Sequence, residues 1–149
     1  MGFAAPSLKG RALRLLSGRE HSRLELERKL AQFEEEPGSL AAALDDLQAK
    51  GFISEQRVLE SVVNRRAAKL GASRIKQELQ HKGIAPEAIT EVMAGLQDTE
   101  LARARGVWQR RFGAPPLDAK EHAKQARFLL ARGFSGAVVG RLLRSPDDE

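Results

Sequence analysis

The sequence predicts an all-α protein built of three tandem three-helix repeats. Three observations carry that reading. Arg, Leu, Ala, Glu and Gln dominate the 149 residues, and all are good helix formers. No window alternates Val, Ile, Thr or Tyr with polar residues in the way a half-buried strand would. And one hexapeptide recurs three times, LQAKGF at 47–52, LQHKGI at 79–84 and LLARGF at 129–134.

The hexapeptide has the chemistry of a helix end. Gly51, Gly83 and Gly133 suit the left-handed residue that follows a helix. The preceding Lys50, Lys82 and Arg132 place a cation at the negative end of the helix dipole. Leu47, Leu79 and Leu129 stand opposite Phe52, Ile84 and Phe134 as apolar clasps of a Schellman cap.

These stops divide the chain into repeats over 1–51, 52–98 and 99–144, with an acidic tail at 145–149. In the first repeat, helices are predicted near 7–16, 22–34 and, capped by Ser39, 39–49. In the second, Ser54 caps a long helix to about residue 70, where Gly71 ends it. A helix over 73–82 follows, and Pro86 at its first position opens one over 86–96. In the third, Thr99 caps a helix carrying Leu101, Trp108 and Phe112; Asp118 starts the next, and Ser135 precedes the last. The expected total is nine helices, each too short to persist alone in water, so they must pack on one another. HSRLELERKL at 21–30 lines up with RIKQELQHKG at 74–83, setting Glu25-Leu26 against Glu78-Leu79.

Several functions find no support. There is no Cys, hence no disulfide and no thiolate metal site. The longest stretch without Asp, Glu, Lys or Arg is 8 residues, so no membrane span is expected. The opening MGFAAPSLKGR has no long apolar core, and Pro6 stands where an acylation signal wants Ser or Thr. The reading is a cytoplasmic protein. No phosphate-cradling glycine loop is present, and His21, His81 and His122 lack ligand spacing and read as surface histidines. Glu34, Glu35 and Glu36 read as solvated loop charge. No catalytic residue, cofactor or metal is expected.

Charge is the remaining signal. Residues 1–51 hold 8 basic and 8 acidic side chains, and residues 52–98 hold 7 and 6. Residues 99–144 hold 10 and 3. Such a basic region suggests nucleic acid or an acidic protein surface as partner. The candidates for a binding surface are Arg65 and Arg66 in the second repeat and Arg103, Arg105, Arg110, Arg111, Lys124, Arg127, Arg132, Arg141 and Arg144 in the third. Base-specific reading of duplex DNA is not expected. The helix near 86–96 carries Glu87 and Glu91, and that near 39–49 carries Asp45 and Asp46. The last helix holds its Arg residues at its C-terminal end.

Three segments resemble the RecX family of bacterial recombination regulators: ALRLLSGREHSRLELERKL at 12–30, LDDLQAKGFISEQRVLESVVNRRAAKLGASRIKQELQHKGI at 44–84, and ARFLLARGFSGAVVGRLL at 126–143. The resemblance implies three tandem three-helix repeats and no enzymatic activity. It implies a regulator that binds the RecA recombinase filament, lies along its groove, and inhibits its ATPase and strand exchange, with consequences for recombination, DNA repair and the SOS response. Some members also contact DNA, so single-stranded or duplex DNA is a further expected partner, and competition for DNA is the alternative function. Carried over by position, Gly51-Phe52, Arg57, Arg65, Ile75, Glu78-Leu79 and Lys82-Gly83-Ile84 are signature residues. Most read as fold determinants, and Arg65 and Arg66 as the functional ones. A row of three modules would make an elongated, curved monomer. Reversing Arg103, Arg110 and Arg111 to Glu should then weaken inhibition and leave helicity intact.

Overall fold

The computed structural model describes residues 5–144; residues 1–4 and the acidic tail at 145–149 lie outside the described residues. The fold is all-α. Eight α-helices follow one another among the described residues: α1 (Leu8–Gly18), α2 (Arg23–Leu30), α3 (Ser39–Ala49), α4 (Glu55–Arg66), α5 (Ala72–His81), α6 (Pro86–Arg111), α7 (Ala119–Ala131) and α8 (Gly136–Leu142). A 3-10 turn, Ala31–Phe33, extends α2. The chain divides into two compact units. Among the described residues, unit 1 holds 5–61 and 81–84, and unit 2 holds 62–80 and 85–144.

Local chemistry sets most of the boundaries. Ser7, Ser22, Asp118 and Ser135 each accept a backbone N–H at the start of their helices. Ser54 accepts that of Arg57 at 3.2 Å. Pro86 opens α6. The hexapeptide is a helix end in all three copies: Gly51, Gly83 and Gly133 have φ of 84°, 75° and 94°. Phe52 N–H donates to the Leu47 carbonyl at 2.9 Å and Phe134 N–H to that of Leu129 at 3.3 Å, the long bond of a Schellman cap. The clasps differ, however. Phe134 and Ile84 are buried, whereas Phe52 is half exposed.

Four expectations need correction. First, the helices placed at 86–96 and from Thr99 onward are one helix of 26 residues, about 39 Å long. Thr99 does not cap; its Oγ1 turns back to the Leu96 carbonyl inside the helix. The third helix of one repeat thus runs straight into the first of the next, giving eight helices and not nine. Second, Ser39 is not the cap of α3. Gly38, at φ 86°, takes that position, and the Glu34 carboxylate reaches six residues forward to the Leu40 N–H at 2.8 Å. Glu34 is therefore a structural anion at a helix N-terminus rather than solvated loop charge. Third, Gly71 is not the stop of α4, which ends at Arg66. Its glycine is required by a close approach described below. Fourth, the alignment of 21–30 with 74–83 is one turn out. Leu26 and Leu30 are the fourth and eighth residues of α2, and Ile75 and Leu79 hold those places in α5. All four are buried. A slip of four residues keeps apolar positions in phase, and so the pattern alone could not fix the register.

Each unit has its own core. In unit 1, Leu26, Leu30, Leu40, Leu44, Leu47 and Ile53 gather around the fully buried Ala12 of α1. In unit 2, Leu129, Phe134, Val139 and Leu143 pack against Ala104 and Val107 of α6.

Candidate protein and nucleic-acid interface

The fold sorts the predicted cations by what holds them. Arg65 and Arg66, at the end of α4, both face Glu78 of α5, at 3.5 and 3.0 Å. Arg103 is drawn inward. Its guanidinium donates to the carbonyls of Ala67 (3.0 Å), Leu70 (2.8 Å) and Leu96 (2.9 Å). Burial holds its pKa below the ordinary arginine value, with the nearby Glu100 carboxylate opposing. One turn before it, the buried Glu100 accepts the Ala72 N–H at 3.0 Å. Arg110 donates to the Ala68 carbonyl at 2.7 Å. Glu100, Arg103 and Arg110 together clamp the connection from α4 to α5 onto α6. A charge reversal at Arg103 would leave those carbonyls without a donor, and so it would not leave the fold intact. The triple reversal expected from sequence is unsuited as a test for that reason.

The others stay at the surface. Arg111, Lys124 and Arg127 line one open groove of about 890 Å³, beside Phe112, Pro115 and Leu117. Arg111 lies 5.4 Å from the Phe112 ring centre and 5.3 Å from that of Phe128; Arg132 stands over Phe128 at 4.8 Å. The two rings meet edge to face, 5.4 Å apart. The groove is positioned by Gln125, buried on α7. Gln125 accepts the Trp108 indole N–H at 2.8 Å and donates to the Ala114 carbonyl at 3.1 Å, fastening the loop after α6. Asp118 accepts the Glu121 N–H at 2.8 Å and starts α7 with Lys120 and Lys124 on the groove. Arg105, Arg141 and Arg144 are exposed and form no ion pair among the described residues, but they do not line this groove.

Leu117 belongs to the groove and was absent from the sequence-based set; Lys120, one of the basic residues of the third repeat, lines it too. Leu117 is 96 % exposed, an apolar side chain offered to solvent at the mouth of a cationic groove. The Gly-Ala-Pro-Pro stretch before it marks a loop, the one sequence signal that singles out this place. Of the three histidines, His81 and His122 are exposed as expected, and His21 is not. His21 is buried, its Nδ1 on the Arg19 carbonyl at 3.0 Å and its Nε2 on the Lys29 ammonium at 3.2 Å. Burial lowers its pKa; the Arg19 carbonyl opposes, while the charges of Arg19 and Lys29 lower it further.

These features define a class first: an all-helical repeat protein with cationic side chains gathered beside aromatic ones. No helix among the described residues is long and apolar enough to cross a membrane. Family models then match nearly the whole chain: the first RecX three-helix domain at residues 9–52, the second at 54–93 and the third at 98–143. The chain is 55 % identical over 143 residues to the regulatory protein RecX of Leptothrix cholodnii, covering 96 % of this chain and 91 % of that one. It is 52 % identical to that of Herminiimonas arsenicoxydans, covering 95 % and 94 %. A crystal structure of RecX from Lactobacillus salivarius superposes with a TM-score of 0.69 at 23 % identity, covering 95 % of this chain and 96 % of that one. Another crystal structure of regulatory protein RecX gives 0.74 at 20 % identity, covering 95 % and 72 %. The chain belongs to the RecX family of regulatory proteins.

Proposed function

We propose that this protein binds the RecA recombinase filament and inhibits its ATPase and strand exchange, so that it modulates homologous recombination and DNA repair without catalysing a reaction itself. The observation that carries this reading is the cluster of Arg111, Lys120, Lys124 and Arg127 on one groove with apolar residues among them. These four cations form no ion pair among the described residues and outnumber the two acidic residues on the groove, Asp118 and Glu121; beside exposed apolar surface they favour a folded anionic partner over bare solvent. Arg105, Arg132, Arg141 and Arg144 extend the positive surface of the same unit. The repeats, bounded at 1–51, 52–98 and 99–144, act as a monomer in the cytoplasm, each adding weak contacts that gain through effective concentration.

The test is the ATPase of preformed RecA filaments titrated with the full chain and with a variant carrying Arg111→Glu, Lys124→Glu and Arg127→Glu. None of these three side chains holds a carbonyl or a carboxylate, and Arg111 gives up only its contacts with the Phe112 and Phe128 rings, so helicity should match the parent and the melting temperature should fall little. The parent is expected to inhibit and the variant to lose most of that inhibition. Equal inhibition by both would place the contact elsewhere. Binding of free single-stranded and duplex DNA is measured in parallel at several salt concentrations. Tight, salt-steep binding to DNA without inhibition of preformed filaments would support the alternative, competition for DNA.

A further inference from the structure

Unit 1 has equal numbers of basic and acidic residues, 10 of each. Six of its cations hold carboxylates: Lys9 and Lys50 on Asp46, Arg19 and Lys82 on Glu25, Arg23 on Glu27 and Asp45, and Arg57 on Glu20. The remaining four are Arg11, Arg14, Arg28 and Lys29, and none of them forms an ion pair among the described residues, though Arg11 also borders the recess that holds Glu35 and Glu36. All four line the same hollow, of about 550 Å³, beside the N-terminal half of α1. Chance placement of neutral-protein charge would scatter the unpaired cations. Here they converge, and no Asp or Glu lines the hollow. Glu35 and Glu36 lie in the adjoining recess, beyond Phe33.

The local fold explains the convergence. Arg11 and Arg14 are three apart on α1 and share a face, with Leu15 beside them. Arg28 and Lys29 come from the last turn of α2, and the 3-10 turn after it brings Phe33 round to the same place. The Arg11 guanidinium stacks over the Phe33 ring at 3.7 Å. Arg28 is steadied by one bond to the His81 carbonyl at 3.0 Å, and Lys29 by His21. Leu15, Leu30 and Phe33 form the walls, and Phe33 remains 38 % exposed.

We infer that this hollow is a second docking site, for a short acidic peptide segment of a partner protein that carries an apolar side chain among its carboxylates. Four unneutralised cations call for a multiply charged anion. The apolar walls call for a side chain that phosphate or sulfate lacks. A nucleic-acid strand is the weaker occupant: its backbone needs a cationic track with a succession of aromatic faces for bases, and here the charges ring one hollow lined by a single aromatic ring, Phe33. The site does not rest on the groove of unit 2 or on the filament reading.

A fluorescein-labelled peptide of aspartates flanking one phenylalanine tests it by anisotropy with the full chain. Saturable binding is expected, weakened at least about tenfold by Arg14→Glu, since a like charge then faces the peptide. Lys29→Gln, which keeps a donor for His21, should weaken it less, and Arg111→Glu should leave it unchanged. Replacing the phenylalanine of the peptide by alanine should also weaken binding several-fold. The inference is overturned by an absence of saturable binding, by equal binding to Arg14→Glu, or by indifference to the phenylalanine. It is also overturned if an oligothymidine displaces the peptide and loses affinity with Arg14→Glu, which would assign the hollow to nucleic acid.

Discussion

The two units use their cations in opposite ways. In unit 1 most cations face a carboxylate, and the charges cancel. In the described part of unit 2 there are 15 basic and 7 acidic residues, and only Arg65 and Arg66 hold a carboxylate. Its other fixed cations hold backbone or rings instead: Arg103 and Arg110 on carbonyls of the α4–α5 connection, Arg74 on the Ala131 carbonyl at 2.9 Å, Arg111 and Arg132 on aromatic faces. Donation to a neutral carbonyl leaves the positive charge uncancelled. A residue such as Arg110 can therefore fasten the fold and still add to the field felt by a partner, which an arginine neutralised by aspartate cannot.

The same contrast appears where the hexapeptides meet their neighbours. In unit 2 the third copy is held by close backbone approach. Gly71 N–H donates to the Arg132 carbonyl at 2.8 Å and the Ser73 hydroxyl to the Gly133 carbonyl at 2.8 Å. A Cβ on Gly71 would overlap the Gly133 carbonyl group and the Phe134 nitrogen, neither of which is a flexible side chain. Gly71→Ala is thus expected to break this joint, costing about 3 kcal/mol and about 10 °C in melting temperature. Thermal unfolding followed by far-ultraviolet circular dichroism measures it. A shift below about 2 °C would show that the joint opens without cost and that unit 2 does not depend on it.

In unit 1 the end of the second copy, residues 81–84, is held by charge. Lys82 reaches Glu25 at 3.0 Å with both side chains largely buried, and Glu25 also accepts from Arg19 at 2.7 Å and from the Ser22 N–H at 3.1 Å. Burial would raise the Glu25 pKa, but the hydrogen bonds from Arg19, Ser22 and Lys82 outweigh it and hold the carboxyl down at about 2. The folded state thus resists protonation that the unfolded state accepts at about 4.5, so this stability is full above pH 4.5 and is lost as pH falls from there toward 2. His21 acts in the same direction at higher pH. Its folded pKa lies below 6.5, so its contribution is full above 6.5 and is lost as pH falls through the lowered value. Acid titration of Glu25→Gln against the parent should show a lower melting temperature at pH 7 and a flatter profile from pH 4.5 to 2. Parallel profiles would remove Glu25 as the source. At pH 7 the substitution is expected to cost about 2 kcal/mol, because Lys82 keeps its burial and loses its partner.

Local chemistry was legible in the sequence, and spatial convergence was not. Ser54, Pro86, Asp118, Ser135 and the three glycines of the hexapeptide act within four residues of themselves, so pattern sufficed to place them. Glu34, Gly71 and Arg103 act on groups 6, 61 and 33 or more residues away, on Leu40 N–H, Arg132 and Leu70. Pattern read each as something blander or more exposed. The groove of unit 2 was half visible, since Arg111, Lys124 and Arg127 stood out by charge, while Leu117 had no signal beyond its loop. The hollow of unit 1 was invisible because its four cations sit in a window whose charges sum to zero. Only the pairing of the other six reveals that these are unmatched.

The lysines of the hexapeptide give the finest version of the comparison. By sequence Lys50 and Lys82 occupy the same place, ahead of Gly51 and Gly83. Lys82 is buried against Glu25, whereas Lys50 is 60 % exposed and meets Asp46 at 2.9 Å, a carboxylate that Lys9 also holds at the same distance. An exposed pair in water contributes little, and the second cation on Asp46 makes it partly redundant. Lys50→Ala is expected to change stability by less than about 0.5 kcal/mol, within the scatter of replicate denaturant midpoints, while Lys82→Ala is expected to approach the cost of Glu25→Gln. Urea denaturation of both variants at low and high salt separates them. If Lys50→Ala proves as damaging as Lys82→Ala, the cation contributes through the helix end it caps, common to both copies, and not through the partner each one finds.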